Sequence, residues 1–256
     1  MKRYPWLLSI LLVNPDGSGP YPTIQSAIDA AVNGDEVYLT SGTFTGPGNY
    51  DVNLQGKTIT VRGQEDYYPW IMPGSGHQAF TCESGEGPET IIGYLTLVAG
   101  GSDLGTVRVV GSSPTIRNCL FSSNTGSCIY TQEGSPLIQS CAFTECSSFA
   151  NATCINSIGG YIQIKDCSFA QNYSQSGGVV SIESGYILDC NLYYNSLDLT
   201  VAPGGADCVY IVNTSYESLQ VLPGACVRIR TEKHAHDFAP LSLSPESWGA
   251  IKVKYR

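Results

Sequence analysis

Four strips of the chain share one skeleton: "PTIRNCLFSSN", "PLIQSCAFTEC", "IQIKDCSFAQN" and "YILDCNLYYN", anchored on Cys119, Cys141, Cys167 and Cys190. Successive anchors lie 22, 26 and 23 residues apart, a period that belongs to solenoid coils and not to independent domains. Ile116, Ile138, Ile164 and Ile187 stand three residues before the anchors. Phe121, Phe143, Phe169 and Leu192 stand two after, and Asn124, Cys146, Asn172 and Asn195 five after. A unit this short cannot bury its apolar face alone, so its copies must stack on one another.

Within a strip, the anchor and the residue two later share one face of a strand, whereas the Ile three residues earlier breaks the alternation. A bend therefore lies between them, at Asn118, Ser140, Asp166 and Asp189, polar residues that tolerate turn and left-handed geometry. Each strip follows another β-rich run, "TVRVV", "CIYTQ", "CINSI" or "VVSIE". Three short strands joined by bends make one coil of a parallel β-helix. A weaker copy carries Ile92, Leu95 and Leu97 in the same columns, "VNLQGKTITVRG" reads as an earlier coil, and "CVYIVN" and "CVRIR" read as less regular terminal ones. The expected fold is all-β, a single-stranded right-handed parallel β-helix of about seven to eight coils over residues 37–230.

Stacking at about 4.8 Å turns each column into a ladder, with Ile, Cys and Phe inside. The cysteine column reads as core packing, because a buried thiol behaves as a small hydrophobe. Cys128 and Cys154 form a second short stack. Vertical neighbours in a parallel sheet are poorly placed for a disulfide, so mostly free thiols are expected.

The ends carry other signals. "MKRYPWLLSILLV" has a basic start and an apolar run too short to span a bilayer, so residues 1–13 read as a signal peptide or truncated leader, with a first strand as the alternative. Residues 14–36 form a cap, in which Thr23 precedes a helix with Ile24, Ala27, Ile28 and Ala31 on one face, ending at Gly34. Such a cap covers core and strand edges that a bare solenoid end would expose. Residues 231–256 form a tail with a short terminal strand.

A net charge of −9 without clustered Lys or Arg argues against nucleic acid and acidic membrane surfaces as partners. Charged residues are only 14%, while 28 Gly and 16 Tyr suit a turn-rich extracellular protein. A monomer at the cell surface or outside the cell is expected.

"DGSGPYPTIQSAIDAA" followed by "GDEVYLTSGTF" resembles the opening of pectinesterases within the pectin-lyase-like right-handed β-helix superfamily. The F-x-x-N strips with "GGVV" at Gly177 to Val180 resemble the repeats of bacterial polymorphic outer-membrane and surface β-helix proteins. The resemblance implies the fold and a polysaccharide or surface glycan as partner. It does not carry an activity across. The Q-D-T-L, D-F-I-F-G and L-G-R-P-W strips of pectinesterases do not occur. Nor do the N-T-D and G-H-G strips of polygalacturonases or the W-x-D-H strip of pectate lyases, and only "RIR" at Arg228 to Arg230 echoes any of them.

From chemistry alone, glycoside cleavage needs two carboxylates about 5 to 9.5 Å apart, and calcium-assisted elimination needs a carboxylate cluster with a base. Asp166 and Asp189 occupy one bend column on neighbouring coils, with Lys165 and Arg117 nearby, and are the catalytic or calcium-ligand candidates. Their alternative role is that of bend formers, since Asn118 and Ser140 fill the same column. Calcium is expected only under this lyase-like reading, and no other cofactor. Tyr67, Tyr68 and Trp70 in "EDYYPW", and Tyr193 and Tyr194 after the last strip, are candidate sugar-stacking rings. The alternative for both groups is a loop folding its own rings back onto the solenoid. "KHAHD" puts His234 and His236 on one face if extended, yet no further metal ligands stand beside them, so it reads as solvated tail. The reading favoured is a glycan-interacting or adhesin-like module without intact catalytic machinery. A divergent lyase or hydrolase and a purely structural spacer are the alternatives.

Overall fold

The computed structural model describes residues 8–102, 104–149, 152–204 and 207–230. The chain winds through three parallel sheets in turn: sheet one of ten strands from Ile10–Val13 to Val227–Arg230, sheet two of seven from Thr43–Phe44 to Asn191–Tyr193, and sheet three of eight from Val52–Asn53 to Leu219–Val221. Strands in each sheet follow one another in sequence order, which is the order a continuously wound coil must give. The right-handed solenoid has about nine turns, more than the seven or eight expected.

One extra turn comes from the N-terminus. Ile10–Val13 pairs in parallel with Glu36–Leu39, and Leu11 and Val13 are fully buried while Ile10 and Leu12 face out. The last four residues of the apolar run are thus the first rung of sheet one, so the solenoid starts at residue 10 and not near 37. The signal carried by residues 1–7, the His234 and His236 pair and the terminal strand lie outside the described residues.

The cap is a helix, Ile24–Ala30, which stops before the Gly34 that its sequence pattern suggests. Thr23 and Ser26 close a capping box. At the other end Ala31 is already extended, because the Asp35 carboxylate takes the Val32 N–H at 2.9 Å and draws the chain off the helix axis. Gln25 does more than cover the end. Its Oε1 accepts the Asn53 N–H at 2.8 Å and its Nε2 donates to the Asn53 carbonyl at 3.2 Å. The side-chain amide thereby satisfies the free edge of sheet three as a further strand would.

Two of the bend columns have one left-handed residue per coil of the repeat. Asn118, Ser140, Asp166 and Asp189 have φ of 52°, 52°, 54° and 52° between sheets one and two. Ser123, Glu145, Gln171 and Tyr194 repeat the device between sheets two and three, at 53°, 55°, 57° and 57°. A single left-handed residue reverses which face the next side chain takes, so each strand after the corner again points its apolar residues inward.

Inside, Phe121, Phe143 and Phe169 stack with centroids 4.8 and 4.7 Å apart and planes within 8° and 3°. The Ile, Cys and Phe columns are buried throughout the repeat. The cysteine column has a further role. Cys119, Cys141, Cys167 and Cys190 each donate Sγ–H to the carbonyl two residues back, at 3.4, 3.3, 3.2 and 3.2 Å. That carbonyl lies just before the left-handed bend, and on the next rung the Thr214 hydroxyl takes its counterpart on Val212 at 3.0 Å. The position asks for a small, largely apolar group with one weak donor.

Eight cysteines are free and buried, and Cys208 and Cys226 are disulfide-bonded with their Cα atoms 4.5 Å apart. These two precede the paired residues Val209 and Val227 and are vertical neighbours. Most of the thiols are free, as expected, and one vertical pair, Cys208 with Cys226, is nevertheless bridged. Asn172, whose sequence suits glycosylation, is 2% exposed and its amide is fully engaged in the corner ladder.

Candidate functional site: the outer face of sheet one

Along sheet one the residue just before the buried Ile points outward. In order through the repeat this column reads Thr115, Leu137, Gln163, Tyr186, Tyr210 and Arg228. Aromatic rings thus appear only on its last rungs, and Tyr161, just ahead of the strand Ile162–Lys165, adds a third. Leu188 and Val212, two residues after Tyr186 and Tyr210, face the same way. These five side chains line an open groove of about 400 Å³, within the range of small-molecule sites.

The rings are held, not loose. Tyr186 donates its hydroxyl to Gln163 Oε1 at 2.8 Å and meets Tyr161 edge to face, with centroids 6.4 Å apart. The Arg228 guanidinium lies 5.7 Å over the Tyr210 ring, a cation–π contact that fixes the groove's C-terminal wall. Burial pushes the Tyr161 hydroxyl above its ordinary value, and Tyr210, the Asp207 carboxylate and Tyr186 add to the effect. At neutral pH Tyr161 thus offers a neutral hydroxyl beside flat apolar surfaces. A carbohydrate presents just that alternation of C–H faces and hydroxyl edges.

Asp166 and Asp189 sit on adjacent rungs at the corner that borders this groove, with Asp189 directly following Leu188. Both are exposed, and Lys165 Nζ is 3.9 Å from Asp166 Oδ2. Their backbone N–H groups donate to Leu188 and Val212 carbonyls at 3.0 Å, as those of Asn118 and Ser140 do to Gln139 and Lys165 at 3.0 Å. The backbone role is the same whichever polar side chain stands there. Among the described residues no three His, Cys, Asp or Glu side chains come together as a metal site.

The other aromatic candidates fall elsewhere. Trp70 and Tyr193 both face out from sheet two, but five rungs separate them, about 24 Å at the usual spacing, so they form no common platform. Tyr67 and Tyr194 are exposed, with Tyr194 edge-on to Tyr193 at 5.6 Å. Tyr68 packs edge-on against Tyr94 at 5.9 Å, and burial pushes its hydroxyl up.

Sequence reasoning missed Tyr161, Tyr186 and Tyr210. The signal was present one residue before the aligned Ile column, where "YI" stands at 186 and 210. What was lacking was the register that puts the two on neighbouring rungs.

Residues 105–220 match the family model described as right handed beta helix region, which spans the most regular coils. No curated protein and no solved structure is significantly similar to the chain. No helix among the described residues is long and apolar enough to cross a membrane.

Proposed function

From a chain that is a right-handed parallel β-helix, we propose a glycan-interacting, adhesin-like module, exported or displayed at a cell surface, that holds saccharide in the sheet-one groove. The observation that carries the reading is the set of three tyrosines presented together by successive rungs of one rigid sheet. The groove is lined by three tyrosines, a leucine and a valine, which favours holding over cleaving. The Cys208–Cys226 disulfide supports an oxidising compartment.

The test is a panel of polysaccharides and oligosaccharides measured against the full chain by titration calorimetry. Binding that is lost in Tyr186→Ala and Tyr210→Ala supports the reading. No binding by any saccharide favours a structural spacer. Cleavage is the second reading, favoured by the position of Asp166 and Asp189 beside the groove. It predicts new reducing ends or ultraviolet-absorbing unsaturated products with added calcium, and their loss in Asp189→Ala.

A further inference from the structure

Cys146 interrupts a corner column of asparagines. On the rungs around it, Asn124, Asn172 and Asn195 donate Nδ2–H to the carbonyls of Leu97, Phe143 and Phe169 at 2.9, 3.0 and 3.0 Å. The Cys146 thiol reaches the corresponding Phe121 carbonyl only at 3.8 Å. It makes two closer approaches, with its sulfur 3.3 Å from the Thr144 carbonyl oxygen and 3.3 Å from the sulfur of Cys128 on the rung before. Both residues are fully buried, at 1% and 0% exposure, so nothing but the coil's own interior surrounds them. Unlike Cys208 and Cys226, which are vertical neighbours, Cys146 approaches Cys128 diagonally, from the corner between sheets two and three on the following rung.

We propose that Cys128 and Cys146 are a covalent modification site, closing to a second rung-to-rung disulfide when the chain folds in the presence of a disulfide oxidant. A disulfide has sulfurs about 2.0 Å apart, so closing the pair needs roughly 1.3 Å of movement shared by two side chains. The chemistry is thiol–disulfide exchange with a small-molecule or protein disulfide. One cysteine thiolate attacks the acceptor, forming a mixed disulfide and releasing one acceptor thiolate. The second cysteine thiolate attacks the protein sulfur of that mixed disulfide and releases the other acceptor thiolate. The pair loses two electrons and two protons, and the acceptor leaves as two thiols.

The timing follows from burial. In the closed coil burial pushes the Cys128 thiol well up, and the Cys128 thiol together with burial does the same to Cys146, so thiolate is scarce there. Exchange therefore precedes closure of the rung. Cys154 is the competing partner, since it is the vertical neighbour of Cys128 across the Ile129 and Ile155 pair.

The experiment refolds the full chain from denaturant in a reduced and oxidised glutathione buffer, quenches with acid, alkylates in denaturant and maps peptides by mass spectrometry. The expected result is one peptide pair linking Cys128 to Cys146, one linking Cys208 to Cys226, and the other six of the ten cysteines alkylated. Cys146→Asn restores the residue type of its column. It is expected to keep the wild-type circular dichroism spectrum and to leave Cys128 alkylated. Finding Cys128 and Cys146 both alkylated in the oxidatively folded wild type, or Cys128 linked to Cys154, would overturn the proposal.

Discussion

The two faces of sheet one share every backbone atom and differ by one residue position, yet they obey different rules. The inward column runs Ile92, Ile116, Ile138, Ile164, Ile187 and Ile211 without a break. The outward column beside it runs from Thr115 through Leu137 and Gln163 to two tyrosines and an arginine. An inward side chain is confined by the rungs above and below and by the facing sheets, so any change of shape is felt by its neighbours. An outward one touches only other outward side chains and water. The fold is thus written redundantly on the inside, while the outside is free to change from rung to rung and to concentrate rings on three of them.

The sharpest way to break this contrast is to charge the interior. Seven buried thiols, at Cys82, Cys128, Cys141, Cys146, Cys154, Cys167 and Cys190, are pushed above the ordinary thiol value of 9.0, chiefly by burial or by a neighbouring thiol. Below pH 9 both folded and unfolded chains keep these protons. Above it the unfolded chain loses them first, so stability falls as pH rises, by about 1.4 kcal/mol per such thiol one unit above 9. Urea midpoints of the reduced protein are expected to drop steeply between pH 8 and 10. A flat profile would mean that the thiols are reached by solvent.

Phe143→Ala removes the middle ring of the stacked three and is expected to cost about 3–5 kcal/mol in urea unfolding. A loss below 1 kcal/mol would show that the interior repacks freely. At the corner, Asn118→Val puts a β-branched residue at φ 52° and is expected to cost about 1–2 kcal/mol. Asp189→Asn, at the same φ, is expected to change stability by less than about 0.5 kcal/mol. Cys167→Thr keeps a donor for the Lys165 carbonyl, as Thr214 does for Val212, and is expected to be milder than Cys167→Ala. The smallest effect on stability belongs outside. Tyr210→Ala is expected to shift unfolding by about 0.5 kcal/mol or less, while weakening saccharide binding about tenfold, the worth of one stacked ring. If instead Tyr210→Ala unfolds the chain, the outward column is not free.

The repeat was legible because stacking forces like residues into the same column, and Ile116, Cys119, Phe121 and their copies announce it at a fixed offset. The bends were legible for the same reason, since Asn118, Ser140, Asp166 and Asp189 share a backbone requirement. The first rung was hidden, because Leu11 and Val13 alternate within a run that reads equally well as a leader. The early end of the helix was hidden too, because it depends on the Asp35 carboxylate reaching back to Val32. "EDYYPW" is a dense aromatic cluster in sequence, yet Tyr68 packs on Tyr94 while Trp70 faces out from sheet two, away from the groove. Tyr161, Tyr186 and Tyr210 are some 24 residues apart in sequence and become neighbours only through winding.

What the sequence determined by itself is the coil: its period, its three-strand composition, the inward ladders and the polar bends, all imposed by the need of a short unit to bury its apolar face on a copy of itself. What only the tertiary structure decided is which distant side chains meet. The register between rungs brought the three tyrosines onto one face and the Cys146 thiol against that of Cys128, and it placed Cys208 over Cys226 for bridging. Register is a sum over many small pairings along the whole stack, so no local stretch of sequence states it.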